Sequence, residues 1–321
     1  MKGFAVLTAP APSGWIDVTA NTPNMEGPLF VASDSTGAKL FIGGNNGGVG
    51  APALSLNEGS TFTGTDPAYM GAGPGLGGSS SNGQVLAYIG GNSGGTVYDF
   101  IRLSTDGGSS WSTTSIVGTT GGLYPFGMAG SGTKMVAADV GGGIYISTDT
   151  GSSFAIKAPF GIANWLDVKY SRDGSTIYAA ATDVSTIGSL MKSTDDGTSA
   201  ADVNPEAGNN VTAVCCSADG SYVVCALAST NVYTSSNGGS NWTMHTNGPD
   251  GKICSALACS DDGQTVLFSS IPGSTLWLST DGGANWTAQS PMIFDATSMS
   301  MSADGTKRAV TVPGDVLWVF A

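Results

Sequence analysis

Charged residues are scarce in this chain, and that scarcity limits the folds open to it. Only 11% of the 321 residues are charged, whereas about a quarter is typical of soluble domains. The acidic residues are almost all aspartates, and glutamate occurs only as Glu26, Glu58 and Glu206. Glutamate, lysine and arginine are good helix formers, whereas the abundant Ser, Thr, Val, Gly and Asp favour strands and turns. The composition therefore excludes a helical bundle and disfavours a helix-rich α/β enzyme.

Positive charge is the scarcer sign. The 11 Lys and Arg against 24 Asp and Glu give a net charge of −13, which nucleic-acid phosphates and anionic lipid surfaces would repel. No apolar run approaches the ~20 residues of a membrane span, and the apolar patch near the N-terminus is too short for a signal peptide. We therefore expect no nucleic-acid partner and no membrane insertion. A secreted, cell-surface or cytoplasmic location and the oligomeric state all stay open.

The chain also has little of the chemistry that holds metals and cofactors. Its single histidine, His245, and its five cysteines form neither a zinc-ligand spacing nor a C-x-x-C pair. No glycine-rich loop precedes a helix and could cradle a phosphate. We expect no metal and no cofactor. The cysteines all lie between Cys215 and Cys259, and we expect buried, reduced thiols, with a disulfide such as Cys216–Cys259 as the alternative.

Glycine is abundant, with 49 residues, and its positions reveal an internal repeat. Two motifs alternate along the chain with a common period of 42 to 49 residues. The first is a Ser-x-Asp-Gly turn, intact or degenerate, at 34–37, 80–83, 129–132, 171–174, 217–220, 260–263 and 302–305. The second reads STDGGSSW at 104–111 and recurs at 55–62, 147–154, 193–200, 235–242 and 279–286. Two series that share one period indicate a true repeat.

Each repeat contains four short runs of strand-forming residues, and this predicts an all-β fold. Four antiparallel strands per ~45 residues is the unit of a β-propeller. The seven Ser-x-Asp-Gly turns predict a seven-bladed propeller that spans residues 1–321 as one domain. The chain stops at VLWVFA (316–321), a third strand without a fourth, while SGWIDVTA (13–20) matches the fourth-strand pattern. We therefore expect the N-terminal strand to join the C-terminal blade and close the ring.

The second motif resembles the Asp-box, Ser/Thr-x-Asp-x-Gly-x-x-Trp/Phe, of the BNR-repeat propellers. That family includes sialidases, some endoglucanases, sortilin-type receptors and a photosystem II assembly factor. The resemblance covers nearly the whole chain and implies the fold, but it specifies no activity. The Asp or Asn of such a box can accept backbone N–H bonds within its turn. This predicts a structural role for Asp106, Asp149, Asp195, Asn237 and Asp281.

Function is expected on the face opposite these turns, which we call the top face. It is formed by the loops between second and third strands and by the connections between blades, where the sequence is irregular. The candidates for ligand binding there are Tyr124, Phe126, Trp165 and Glu206. Aromatic rings beside polar groups suit a sugar, because rings cover its apolar face while polar groups fix its hydroxyls. The alternative role for such rings is to fill the interfaces between blades.

These features predict a non-catalytic binding or scaffold module with a protein or a glycan as its partner. The alternative is a glycoside hydrolase or lyase that uses top-face aspartates, for which the candidates are Asp139, Asp183 and Asp295. The resemblance to sialidases implies three arginines that converge on a carboxylate. Arg172 and Arg308 instead belong to the turns opposite the top face, so we do not expect that triad.

Overall fold

The computed structural model describes residues 14–21, 26–45, 52–66, 76–90, 99–119, 121–182, 189–228, 231–246, 248–249, 252–271, 275–293, 296–312 and 316–320. Within these ranges, two short 3-10 helices, Thr19–Asn21 and Ala158–Phe160, accompany the strands. No helix in the same ranges is long and apolar enough to cross a membrane. The predicted all-β class is confirmed.

The strands form seven four-stranded antiparallel sheets, which are the blades of a propeller. The first strand, β1 (Trp15–Asp17), belongs to blade 7. Blade 1 contains β2 (Glu26–Ser33), β3 (Leu40–Asn45), β4 (Ala53–Ser55) and β5 (Thr63–Gly64). Blade 2 contains β6 (Gly77–Ser79), β7 (Leu86–Gly90), β8 (Phe100–Ser104) and β9 (Ser112–Ser115). Blade 3 contains β10 (Leu123–Met128), β11 (Met135–Asp139), β12 (Ile144–Ser147) and β13 (Ala155–Ile156).

The remaining four blades repeat this order of strands. Blade 4 contains β14 (Asn164–Tyr170), β15 (Ile177–Thr182), β16 (Leu190–Ser193) and β17 (Ala201–Asp202). Blade 5 contains β18 (Val211–Cys216), β19 (Val223–Leu227), β20 (Val232–Ser235) and β21 (Thr243–His245). Blade 6 contains β22 (Ile253–Cys259), β23 (Val266–Ile271), β24 (Thr275–Ser279) and β25 (Thr287–Ile293). Blade 7 contains β26 (Ser298–Met301), β27 (Arg308–Val312) and β28 (Val316–Phe320), followed by β1.

The N-terminal strand closes the ring. β1 pairs antiparallel with β28, so that Trp15 lies opposite Phe320 and Asp17 opposite Trp318. The rings of Trp15 and Phe320 meet edge to face with their centroids 5.5 Å apart. Both the seven blades and the closure by the N-terminal strand are therefore confirmed. Closure covers the edge of β28, which would otherwise offer unpaired backbone groups to other chains.

The Ser-x-Asp-Gly turns join the first and second strands of the blades. In blade 4, Ser171 Oγ donates to Asp173 Oδ1 at 2.6 Å and accepts the Thr176 amide at 2.9 Å. Gly174 has a φ of +73°, a conformation that is costly for residues with a side chain. The same pair of hydrogen bonds recurs in blades 5, 6 and 7. The motif therefore specifies its turn through local contacts.

A closed ring of backbone hydrogen bonds links these seven turns. Each bond joins an amide in one turn to the carbonyl of the second residue of the next turn, at 2.7 to 2.9 Å. The bonds run from Ser35 to Ser81, Ser81 to Gly130, Gly130 to Arg172, Asp173 to Ala218, Ala218 to Asp261, Asp261 to Ala303, and Ala303 back to Ser35. The turns thus meet around one opening on the face that we call the bottom face.

Seven clusters of buried apolar side chains fill the seams between neighbouring blades. At the seam of blades 1 and 2, the Trp111 ring stacks on Phe41 with a centroid distance of 5.8 Å. Tyr88 in the same seam donates its hydroxyl to Asp66, which is 1% exposed. Arg102 forms a bidentate pair with Asp66, with both N···O distances at 2.8 Å. This satisfies both carboxylate oxygens of a buried charge.

Replacing Gly283 by valine should destabilise the protein by about 1–3 kcal/mol. Gly283 lies in the turn between β24 and β25, where its φ is +95° and a Cβ would lie 3.2 Å from the Thr234 methyl group. The measurement is the midpoint of urea unfolding, compared with that of Gln289→Ala on the following strand. Equal midpoints for the two variants would contradict the role of the turn.

Deleting residues 1–20 should make the protein aggregate or lose its cooperative unfolding transition. The deletion removes β1 and leaves β28 as an uncovered apolar edge. The matched control is deletion of residues 1–13, which keeps β1, and the measurement is size-exclusion chromatography with thermal unfolding. A monomeric 1–20 deletion with an unchanged melting temperature would contradict closure by this strand.

Candidate functional site

Two of the aromatic rings predicted for the top face, those of Trp165 and Phe126, lie in the core. The Trp165 side chain is 1% exposed, and its Nε1 donates to the Gly142 carbonyl at 3.0 Å. It meets Phe160 edge to face at the seam of blades 3 and 4. Phe126 is 5% exposed and packs in the seam of blades 2 and 3. The two rings therefore fill the seams on either side of blade 3, and Phe126 also borders the central channel.

Asp139 is also an internal residue. It ends β11, is 1% exposed, and its Oδ1 accepts the Gly121 amide at 3.0 Å. Gly142 lies directly against this carboxylate, since a Cβ added to Gly142 would be 2.1 Å from Asp139 Oδ2. Asp139 thereby ties the turn between β11 and β12 to the connection that enters blade 3. The two other candidate acids, Asp183 and Asp295, lie outside the described residues.

Glu206 stabilises the connection between blades 4 and 5. Its carboxylate accepts a hydrogen bond from the Tyr233 hydroxyl at 3.0 Å, and its backbone carbonyl accepts one from Asn204 Nδ2 at 2.8 Å. Burial, together with the hydrogen bond to Glu206, raises the pKa of Tyr233. Glu206 lies between blades 4 and 5 and does not line the cavity that Tyr124 borders, while Phe126 and Trp165 are buried in seams. The four predicted binding residues therefore do not form one site.

Exposed aliphatic side chains lie instead at the top of blade 3. We define the blade 3 patch as Val117, Val140, Ile156 and Ile162, which are 89%, 42%, 59% and 72% exposed. The turn that carries Val140 bonds to the chain on both sides, through the Val140 amide to Gly122 and through the Gly142 carbonyl to Ala163. A Cβ on Gly143 would lie 2.9 Å from the Ile156 side chain. These contacts bring the Val140 turn, Ile156 and the connection that carries Ile162 together, while Val117 lies in the connection that leads into blade 3.

Sequence reasoning did not identify this patch, although its residues carry a usable signal. Val140 and Ile162 stand in glycine-rich connections rather than in the alternating pattern of a strand. An apolar residue in a connection has no strand neighbour to cover it, so exposure is the expected outcome. Leu166, which is 37% exposed at the start of β14, extends the apolar surface to the central opening.

The opening at the top face leads into a central channel. Its mouth, a cavity of about 80 Å³, is lined by Tyr124, Leu166, Asp167 and Lys169 among others. Lys169 Nζ pairs with Asp167 Oδ1 at 2.8 Å, and Asp167 Oδ2 accepts the Val214 amide at 3.1 Å. Burial opposes the charge of Lys169, but the Asp167 carboxylate outweighs it and raises the pKa of Lys169. Burial and the Asp167 charge likewise raise the pKa of Tyr124.

The inner strands line the channel below this mouth, around a cavity of about 240 Å³. Near the bottom, Arg172 of blade 4 reaches across to blade 6, where its Nε bonds to Asp261 at 2.5 Å. Its Nη1 bonds to Ser81 of blade 2 at 3.2 Å. Arg172 therefore bridges blades 2, 4 and 6 at the bottom opening.

The three arginines of the chain lie apart, and each has its own partner. Arg102 pairs with Asp66, Arg172 bonds to Asp261, and the Arg308 guanidinium lies 4.6 Å from the centre of the Phe320 ring. Arg308 Nε also donates to the Gly305 carbonyl at 2.8 Å. No convergence of the three on a substrate carboxylate is possible in this arrangement.

The predicted box residues form a repeated turn at the bottom face. Asp106 Oδ1 accepts the Ser104 hydroxyl and the Ser110 amide, both at 2.8 Å, and its Oδ2 accepts the Ser110 hydroxyl at 2.6 Å. The equivalent bonds are made by Asp149, Asp195 and Asp281. Asn237 accepts the same Ser hydroxyl and backbone amide in blade 5.

These hydrogen bonds favour the ionised carboxylates. Donation from Ser110 and then from Ser104 lowers the pKa of Asp106 from 3.8 to about 2, and Ser153 and Ser147 do the same for Asp149, also to about 2. Asn285 lowers the pKa of Asp281, and Ser199 lowers that of Asp195. The bottom rim is therefore an acidic surface whose carboxylates are already hydrogen-bonded within their own turns.

The fold is similar to that of solved propellers. A structure of YCF48 bound to a D1 peptide aligns with a TM-score of 0.70 at 16% identity, covering 96% of this chain and 97% of that one. YCF48 from Cyanidioschyzon merolae gives 0.69 at 14% identity, covering 96% and 98%. A GH74 xyloglucanase from Xanthomonas campestris gives 0.66 at 14% identity, with 95% of this chain and 53% of that longer chain covered.

Similarity at these identities shows the propeller fold. No family profile matches the chain, and no curated protein sequence matches it.

Acid should destabilise the protein steeply between about pH 4 and pH 2, because protonation removes the acceptors of the box turns. The pKa values of Asp106 and Asp149 are lower in the folded state, so their contribution is complete above the unfolded value of 3.8 and is lost as the pH falls through about 2. The measurement is the urea midpoint as a function of pH.

The matched variant for this test is Asp106→Asn combined with Asp149→Asn. Asparagine fits such a turn, since Asn57 in blade 1 accepts the Thr61 amide through Oδ1 and donates to the Thr61 hydroxyl through Nδ2. The double variant should show a shallower loss of stability below pH 4 than the parent protein. The same slope in both proteins would rule out these carboxylates as the source of acid sensitivity.

Proposed function

We propose that this protein is a non-catalytic binding module whose blade 3 patch takes an aliphatic segment of a partner protein. The observation that carries the proposal is the exposure of Val117, Val140, Ile156 and Ile162 on blade 3 and the connections that flank it. Exposed apolar side chains gathered in one place are typical of a protein interaction site, whereas scattered single ones are not.

The chemistry of the two faces favours the top face for this role. The blade 3 patch contains no charged residue, and the nearest charged pair at the mouth, Lys169 with Asp167, is mutually neutralised. The bottom face instead carries ionised aspartates such as Asp106 and Asp304. Interface centres are depleted in charge, because burying an unpaired charge is costly.

The patch is rigidly supported, which favours binding. Asp139 anchors the turn that carries Val140 to the preceding connection, and Trp165 anchors it to the following one. A surface that is already ordered loses little conformational entropy when a partner binds. The buried residues proposed from the sequence for catalysis and ligand binding thus support the patch rather than form it.

A protein partner is favoured over a glycan by the identity of the exposed groups. Sugar sites use aromatic rings, and Phe126 and Trp165 are buried in the seams. Aliphatic side chains offer dispersion contacts to another aliphatic surface but no ring face to a sugar. YCF48, which shares the fold, was solved with a D1 peptide, and this gives peptide binding by such a propeller a precedent.

The alternative function, a glycoside hydrolase or lyase, depends on top-face aspartates. Asp139 is engaged with the Gly121 amide and is almost fully buried. A general acid or nucleophile must reach the substrate, so this residue does not support the alternative. A catalytic role of Asp183 or Asp295 can be tested by analysing whether the protein cleaves any glycan that it binds. The comparison is between the parent protein and the Asp183→Asn and Asp295→Asn variants.

The test of the proposed function is selection of binding peptides from a displayed random library, followed by affinity measurement with two matched variants. Ile162→Asp places a charge in the blade 3 patch, and Ile16→Asp places one on exposed β1 in blade 7. We expect the selected peptides to be rich in aliphatic residues. Ile162→Asp should weaken their binding at least about tenfold, which corresponds to about 1.4 kcal/mol, while Ile16→Asp should leave it unchanged.

Two outcomes would contradict this proposal. Peptides that bind both variants equally well would show that the partner site lies elsewhere. Release of sugar from a glycan, abolished in one Asp→Asn variant, would show that the protein is an enzyme. Both variants should first be shown to unfold at the same temperature as the parent, so that a loss of binding reports on the patch alone.

A further inference from the structure

Three cysteines line the central channel below its mouth. Cys215 and Cys216 end the inner strand β18 of blade 5, and Cys259 ends the inner strand β22 of blade 6. The side chain of Cys215 is buried, whereas those of Cys216 and Cys259 are partly exposed. The other two cysteines, Cys225 and Cys254, are buried away from the channel lining.

The alternation of side chains along β18 sends its two cysteines to different seams. Cys215 packs in the apolar cluster between blades 5 and 6, and Cys259 packs against the same cluster. Cys216 instead packs against the cluster between blades 4 and 5, which contains Tyr178. Cys215 and Cys259 thus meet at the same apolar cluster, and both line the channel cavity. The pair that faces across a seam is therefore Cys215 with Cys259.

The backbone holds these two strands together just below the pair. The Ala218 amide donates to the Asp261 carbonyl at 2.7 Å, and this bond is part of the closed ring at the bottom face. It lies three residues after Cys215 and two residues after Cys259. A disulfide requires two Cα atoms within about 4.4–6.8 Å, and this bond holds the ends of the two strands together next to the cysteines.

We propose that Cys215 and Cys259 form an oxidisable dithiol that becomes a disulfide across the seam of blades 5 and 6 when a hydroperoxide enters the channel. The proposal is independent of the partner-binding function. It concerns the channel wall formed by blades 5 and 6, whereas the blade 3 patch lies outside the channel lining, and it uses residues to which that function assigns no role.

The reaction proceeds in two balanced steps. Cys259, which is partly exposed to the channel, attacks one oxygen of hydrogen peroxide as its thiolate. The O–O bond breaks, and a sulfenic acid and one water molecule form once a proton is transferred. The Cys215 sulfur then attacks the Cys259 sulfur and gives up its proton, and the S–O bond breaks to release a second water. Two thiols and one peroxide thus yield one disulfide and two waters.

The environments of the two sulfurs suit this division of roles. Burial, and then the hydrogen bond and charge of Cys259, raise the pKa of Cys215, so this thiol stays protonated until its partner has been oxidised. The charge of Lys169 opposes this rise but does not outweigh it. Cys216 packs against the cluster between blades 4 and 5, whereas Cys259 packs against the cluster between blades 5 and 6, so Cys216 faces a different seam.

The experiment treats the reduced, folded protein with hydrogen peroxide, removes the excess with catalase, and counts the remaining thiols after denaturation by alkylation and intact mass. The parent protein should lose two of its five thiols, and dithiothreitol should restore them. Its urea midpoint should be higher in the oxidised form than in the reduced form, because a cross-link between distant positions restricts the unfolded chain.

Single variants assign the sulfurs, since Cys215 and Cys216 are adjacent and share most peptides. Cys216→Ser should lose two thiols as the parent does, whereas Cys215→Ala and Cys259→Ser should form no internal cross-link. Size-exclusion chromatography of each variant confirms that folded monomer is being assayed. The proposal is overturned if the parent forms no cross-link, or if the cross-link survives in Cys215→Ala and disappears in Cys216→Ser.

Discussion

The ring of backbone hydrogen bonds at the bottom face is the constraint on which the rest of this propeller depends. Each Ser-x-Asp-Gly turn donates to the next, and the last donates to the first, from Ala303 to Ser35. The ring requires only that each turn present one amide and one carbonyl to its neighbours, so the turn motif recurs in every blade while the connections at the top vary.

The ring also separates the two faces of the molecule by role. At the bottom face, the polar groups satisfy one another: Asp173 and its equivalents bond to their own turns, and Arg172 bridges the opening to Asp261. Little capacity remains there for a partner. At the top face, connections need only return the chain to the next inner strand, so glycines and exposed aliphatics such as Val140 and Ile162 are tolerated.

The sequence predicts the fold well because the information is local and repeated. A turn such as 171–174 is specified by contacts within six residues, and seven copies reveal blade number and closure. The candidate site is different, because it depends on which side chains the connections cover. From its place in the sequence, Trp165 could either lie on the top face or fill an interface between blades. What decides its burial is a contact that the local sequence does not show, because its N–H donates to the Gly142 carbonyl in a turn 23 residues away.

The same limit applies to the cysteines. Cys216 and Cys259 occupy matching positions, each immediately before the serine of a turn, so the repeat favours them as a pair. In the structure, equivalent positions face the same way around the ring: Cys216 packs towards blade 4 and Cys259 towards blade 5, whereas Cys215 packs towards blade 6. Because side chains alternate along a strand, residues that meet across a seam occupy non-equivalent positions of the repeat.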